Sequence, residues 1–275
     1  MEILKTSNRK LFPELMRTGR VFRRQGEFGA AVDSFQQAIG RRPTDIGPRL
    51  LLADSLLESG RPLEAVKSLR EALSLLPHSA LLEKKLGEAA AVGRGRYLEG
   101  LEKFKAGDLD SAQKIFEEVI LLDPNFGLAV NRLARVHLKR GAVEKAIELY
   151  NEFLARHPEN IDINYRLFRV FIEQKKYPKC LDVCRKIMRL AREKIKIGEN
   201  LSDSDKENYA FVLSYLARTA FMRKDYQKAK NYLEEAIGYK SDIKGADSLM
   251  CDIRALLENK QIRRHKPDQR KRRKR

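Results

Sequence analysis

The sequence predicts an all-α protein, a solenoid of stacked antiparallel helix pairs, and three observations predict it. The first is a stretch that recurs. Gly107 and Asp108 set a tight turn, Ala112, Phe116 and Val119 follow three or four residues apart, and Asp123-Pro124 closes the run. That spacing lays three apolar side chains on one stripe of a helix, and the proline ends it. A shift of 34 residues brings up Gly141, Ala146, Tyr150, Phe153 and Pro158. Upstream the pattern reads Gly26, Ala31, Phe35, Ala38, Pro43, and then Gly60, Ala65, Leu69, Ala72, Pro77. Such a period is that of a helix–turn–helix repeat.

The second observation is where the nine prolines fall. Pro13, Pro48, Pro62 and Pro178 sit in predicted first turns, where a missing N–H costs nothing. Pro43, Pro77, Pro124 and Pro158 end second helices, and Pro267 lies near the C-terminus, so none is predicted inside a helix. The third is composition: 43% hydrophobic and 34% charged, with no tryptophan. Thin helical layers suit that balance better than a deep globular core, and in a repeat array each unit packs only on its neighbours.

Taken in order, residues 1–11 are polar and expected to fray. Residues 12–92 hold two repeats and then an orphan first helix, Ala80 to Val92, whose partner never comes. Gly93-Arg94-Gly95-Arg96 reads as a bend or hinge at 93–96, the alternative being that the extra helix stacks in one continuous array. Residues 97–243 hold four repeats, the last two degenerate. The second helix of repeat five runs on to about Ile197, and Ser204 with Glu207 reads as a capping box opening the next helix. Residues 244–262, with Leu249, Ile253, Leu256 and Leu257, read as the cap an array requires. Residues 263–275 carry no large apolar residue and are expected to be disordered.

These features resemble the tetratricopeptide repeat family. Its first helix carries a large residue, then Leu-Gly or Leu-Ala, then an aromatic. Repeat one offers Leu15, Gly19 and Phe22; repeat two Leu52, Ala53 and Leu56; repeat four Val130, Leu133, Ala134 and His137. In repeat three Gly100 fits, while Tyr97 and Phe104 sit one place late. Repeat five has Leu167, Phe168, Phe171, Cys180, Cys184 and Ile187, and repeat six Leu216, Ala217, Tyr226, Ala229, Leu233 and Ala236. The resemblance covers about residues 12 to 243. It implies a right-handed superhelix whose first helices line a concave groove that takes peptides.

The ninth residue of the family's frame points into that groove. Here it is Arg20, Asp54, Leu101, Arg135, Arg169 and Arg218, which makes an arginine column. Neighbouring inward positions add Arg23, Arg24, Asn131, Lys139 and Tyr165, with Tyr97, Phe104 and Phe221 as apolar contacts. Arginine forks suit carboxylates and phosphates. The family's two-carboxylate clamp for chaperone tails uses Lys, Asn, Asn, Lys and Arg; Met16, Arg20 and Leu51 stand where its first residues belong, which disfavours that ligand.

Little else points to chemistry. His78, His137, His157 and His265 are scattered. Cys180 and Cys184 share a helix face, which makes half a metal site, but they occupy the repeat's packing positions, where cysteine acts as a small hydrophobe. No phosphate loop follows Gly93-Arg94-Gly95-Arg96. No catalytic residue, metal or cofactor is expected. Three cysteines, no signal peptide and no span of roughly 18 apolar residues point to a cytoplasmic protein in a reducing compartment.

The net charge of +18 is uneven: residues 263–275 hold nine Lys/Arg against one Asp. The run Arg270, Lys271, Arg272, Arg273, Lys274 and Arg275 suits nucleic-acid phosphates, an anionic membrane face, an acidic protein or, in a eukaryote, nuclear import. The expected function is a non-catalytic adaptor or scaffold gripping an acidic partner segment, the alternative being an RNA-associated protein that uses the arginines and the tail.

Overall fold

The structure, a computed structural model, describes residues 2–265, and side chains from 11 to 258. Thirteen helices and no strand occur among the described residues. They fall into two compact units that divide between Ala142 and Val143. The first holds α1 (Glu2–Arg24), α2 (Phe28–Arg41), α3 (Ile46–Glu58), α4 (Pro62–Leu75), α5 (Ala80–Lys105), α6 (Leu109–Leu122) and α7 (Gly127–Lys139). The second holds α8 (Val143–Arg156), α9 (Ile161–Glu173), α10 (Tyr177–Lys196), α11 (Asp203–Met222), α12 (Tyr226–Tyr239) and α13 (Ala246–His265).

Within each unit first helices touch first helices, α1 with α3 and α5 with α7, α9 with α11 and α11 with α13, while α4 touches α6. Two helical layers result. The predicted triads fix them: Ala31-Phe35-Ala38, Ala65-Leu69-Ala72, Ala112-Phe116-Val119, Ala146-Tyr150-Phe153, Cys180-Cys184-Ile187 and Ala229-Leu233-Ala236 are all 2% exposed or less. The small residue of the first helix admits the large one of the second. A Cβ built on Gly19 would lie 2.6 Å from the Phe35 ring, and one on Gly100 2.8 Å from the Phe116 ring. Repeat five inverts the sizes, with Phe168 at the small position and Cys184 at the large one, both buried.

The turns between paired helices need a left-handed residue. Gly107 supplies it at φ 84°, where a side chain is disfavoured. In repeats five and six the same turn is made by Lys175 at φ 55° and Lys224 at φ 61°, which is why those copies look degenerate. Each N–H there still donates to the last turn of the preceding helix, Lys175 to Ile172 and Lys224 to Phe221.

Four expectations meet a different structure. Residues 93–96 do not bend; they lie inside α5, which joins the orphan helix to the first helix of repeat three. Val66, Ala89 and Leu122 form a buried cluster of α4, α5 and α6, Gly93 is buried, and a Cβ there would lie 3.2 Å from Leu122. Packing thus outweighs the roughly 1 kcal/mol that each glycine costs a helix. Residues 2–11 extend α1 rather than fray, since they contain no glycine or proline to stop it, and Pro13 therefore lies inside that helix. The N-cap of α11 is Ser202, which accepts from Asp205 N, and not Ser204; buried Leu201 anchors the chain just before it. The C-terminal cap, α13, starts at Ala246 and runs to His265, with Met250 and Ile253 buried. Residues 266–275, and with them the whole basic run 270–275, lie outside the described residues.

Two glycines of α5 should answer oppositely to alanine. Gly100→Ala should destabilise by about 1–3 kcal/mol, because the Phe116 ring cannot give way inside a closed core. Gly95→Ala, with nothing within 4 Å of the new Cβ, should stabilise by up to about 1 kcal/mol. Urea or thermal unfolding of the two variants decides it; a loosened helix at Gly95 would reverse the second sign.

Candidate functional site

In the first unit the inward residues of α1, α3 and α5 form a chain of charges. Arg23 donates two hydrogen bonds to Glu58, from Nε at 2.9 Å and from Nη2 at 2.8 Å. Its Nη1 lies 3.3 Å from Asp54. The other Asp54 oxygen is 2.9 Å from Lys85 Nζ, which also reaches Glu88 at 3.0 Å. Arg23 is therefore committed to its own fold, and the acids of α3 neutralise part of the expected basic groove. Beside this network a cleft of about 460 Å³ is lined by Arg20, Arg23, Arg24, Phe28, Leu51 and Glu58. Arg20 and Arg24 are exposed, while Phe28 and Leu51 are half-buried. Here three sequence-predicted residues come together.

Farther along the same unit, Phe104 is buried beneath two exposed cations. The Arg135 guanidinium is 5.3 Å and the Lys139 ammonium 4.3 Å from its ring centre, a cation–π arrangement. Tyr97 and Asn131, expected in the groove, are buried instead. Tyr97 packs on Phe116 and Phe126, and its hydroxyl accepts from Arg132 Nε at 3.3 Å. Its place one residue late in the frame turns it into the layer between helices.

In the second unit Tyr165 is buried against Phe168 and stacks on exposed Phe211 with centroids 6.2 Å apart. Lys240 stands 5.1 Å from the Phe211 ring centre. Arg169 is exposed and pairs along its own helix with Glu173 at 3.6 Å. Arg218 donates from Nη2 to the Lys244 carbonyl at 2.9 Å, bracing the loop before α13, and Phe221 is half-buried against Tyr226. Arg135 belongs to the first unit and Arg169 and Arg218 to the second, so the arginine column divides between units.

Buried thiols line the packing of α10: burial raises both, and pushes Cys184 up to about 12. No cluster of three or more His, Cys, Asp or Glu placed to hold a metal occurs among the described residues. None of the described helices is long and apolar enough to cross a membrane.

Two family profiles match this sequence, both described as Tetratricopeptide repeat, one over residues 22–87 and the other over 97–161. The chain carries tetratricopeptide repeats. Among curated proteins it is similar to Anaphase-promoting complex subunit 7 of Arabidopsis thaliana, 28% identical over 142 residues, which is 52% of this chain and 23% of that protein. It is also similar to Protein O-mannosyl-transferase TMTC3 of Mus musculus, 27% identical over 159 residues, 57% of this chain and 17% of that protein. The chain thus spans less than a quarter of either relative. Among solved structures, pilF of Pseudomonas aeruginosa gives a TM-score of 0.40 at 12% identity, covering 90% of this chain and 99% of that one.

Arg20, Arg23 and Arg24 meet at one cleft, whereas Tyr97, Asn131 and Tyr165 are buried, and the tetratricopeptide frame did not give the pairing between helices. Acids at Asp54, Glu58 and Glu88 alternate with Arg20, Arg23 and Lys85 along successive first helices. That alternation in sign was the available signal. Phe211 escaped notice because it lies in a degenerate copy.

The network makes stability depend on pH. Hydrogen bonds from Arg23 hold the Glu58 carboxyl below its ordinary value of 4.5. Hydrogen bonds to Asp54 and Glu88 hold the Lys85 ammonium above its ordinary value. The Glu58 contribution is full above the ordinary carboxylate value and is lost as pH falls through the lowered one. The Lys85 contribution is lost only as pH rises through its raised value. Glu58→Gln should therefore cost up to about 1 kcal/mol at neutral pH, its side chain being 38% exposed, and the gap from wild type should shrink on acidification. Melting curves at about pH 7 and about pH 3 test this; a gap that does not change with pH would show that Glu58 is not ionically coupled.

Proposed function

We propose that the chain is a protein-interaction scaffold that holds an acidic segment of a partner at the α1–α3 cleft. One observation carries this reading: Arg20 and Arg24 stand exposed over a cleft with the apolar side chains of Phe28 and Leu51. The third arginine, Arg23, is already oriented by Glu58 and Asp54. A carboxylate entering there meets guanidinium forks that favour paired hydrogen bonds, and a neighbouring apolar side chain meets a surface that removes it from water. Tetratricopeptide repeats and a relative named as a subunit of a complex support a role in assembly. Arg135 and Lys139 over Phe104 give a second basic and aromatic face, and Arg169 beside Tyr165 a third.

Arg20→Glu combined with Arg24→Glu reverses two exposed charges on a helix that tolerates either residue, so unfolding should move by no more than about 0.5 kcal/mol. Recovery of the partner by affinity capture and mass spectrometry should fall at least about tenfold, equivalent to about 1.4 kcal/mol. Removing residues 266–275 should weaken it only modestly. Capture that survives the double reversal but is lost with the tail, or with nuclease treatment, would replace this reading by the nucleic-acid one, whose salt dependence is steep.

A further inference from the structure

On the opposite layer of the second unit, a groove of about 350 Å³ opens where α10, α11 and α12 meet. Ala220 of α11 is buried at its base, with Met188 of α10 and Tyr232 of α12 half-buried at its sides. Arg185, Arg223 and Lys228 stand exposed around it. Asp225 also lines it, but that carboxylate already caps α12 by accepting from Lys228 N. Arg185 pairs with Asp182 in an exposed contact of the kind that exchanges readily.

The first unit has a groove at the corresponding place, about 300 Å³, where α2, α3 and α4 meet. Counting from the buried triads matches the two residue by residue. Gln36 corresponds to Arg185, each following the middle residue of its triad, and Ile39 to Met188, each following the last. Leu56 corresponds to Ala220, Glu64 to Lys228 and Ser68 to Tyr232. The fold is the same, but the chemistry is not. Leucine becomes alanine, which opens the base; serine becomes aromatic, which raises a wall. Two positions move toward positive charge, while the first groove balances Arg49 and Lys67 against Glu64 and Glu71.

We infer that the α10–α12 groove docks an acidic segment of a partner protein that places one aliphatic or aromatic side chain between carboxylates. The apolar side chain fills the recess over Ala220 beside Tyr232 and Met188, and the flanking carboxylates meet Arg185, Arg223 and Lys228. Charge complementarity selects that occupant, because a basic or purely polar segment would find either repulsion or an unfilled recess. The inference is independent of the α1–α3 cleft.

Fluorescence anisotropy of the full chain with labelled heptapeptides tests it. One set carries Leu, Phe or Met at the centre with Glu on both sides; controls carry Ser at the centre, or Lys in place of Glu. The apolar-centred acidic set should bind at least about tenfold more tightly than either control. Arg185→Gln with Lys228→Glu installs the residues of the first groove on exposed positions and should weaken binding about tenfold or more, as should Ala220→Leu if its melting shows it folded. Arg20→Glu with Arg24→Glu should leave this binding unchanged. Absence of binding by every peptide, equal binding of the Ser-centred set, indifference to the Arg185/Lys228 change, or loss on reversing Arg20 and Arg24 would each overturn the assignment.

Discussion

The array rests on one close approach, in every repeat but the fifth that of a large side chain of the second helix to a backbone with little or no side chain on the first. Phe35 lies over Gly19 and Phe116 over Gly100 with no room for a methyl group. Interiors packed to that density transmit any change in volume. The repeats therefore keep their total bulk even when they exchange its location. Phe168 with Cys184 is that exchange: the aromatic moves to the first helix and the second shrinks to a thiol. The neutral, buried thiol of Cys184 behaves as the hydrophobe this role requires.

Electrostatics follow from the same layering. A net charge of +18 does not amount to a uniformly basic binding face, because much of it is spent on structure. Arg23 and Lys85 tie three first helices through Asp54 and Glu58. Arg132 reaches Tyr97, Arg192 reaches Tyr209 and Glu235, and Arg218 holds the loop before α13. Exposed pairs of this kind each add little stability, but they fix orientation. Arg20 and Arg24 stay exposed because the α3 acids face Arg23 instead. Which arginines stay exposed is set by where the acids are, as much as by where the arginines are.

The sequence made the repeats legible because packing constraints recur with the period. The positions of Ala112, Phe116 and Val119 are buried in every copy, so one stripe identified all six triads. The fusion at 93–96 was not legible. Two glycines in four residues say turn, and only the burial of Ala89 before them and Tyr97 after them, with Leu122 of α6 packed against Gly93, says helix. Tyr97 itself was misplaced because a side chain's direction depends on the helix being continuous there. At the candidate site the cluster of Arg20, Arg23 and Arg24 was legible, while the burial of Asn131 and Tyr165 and the partners of Arg23 were not, since pairing between helices depends on which rotamers meet. The turns at Lys175 and Lys224 hid in the same way: the backbone keeps the left-handed geometry, and the residue type no longer announces it.

A repeat array separates what must stay from what is free to change, and the two inter-repeat grooves illustrate that separation. The triads of α2 and α4 and those of α10 and α12 are equally buried, so both grooves have the same frame. Some of their lining positions lie beside a triad residue on the exposed side of a helix, where substitution costs little stability. Gln36 against Arg185 and Glu64 against Lys228 are such positions, and they differ by charge rather than by size alone. Ser68 against Tyr232 and Leu56 against Ala220 then redistribute volume without disturbing the stack. Because each repeat contacts only its neighbours, the chemistry of one groove is not constrained by that of another. A chain of this kind can present one surface on its first-helix layer and a different one on its second without compromise between them.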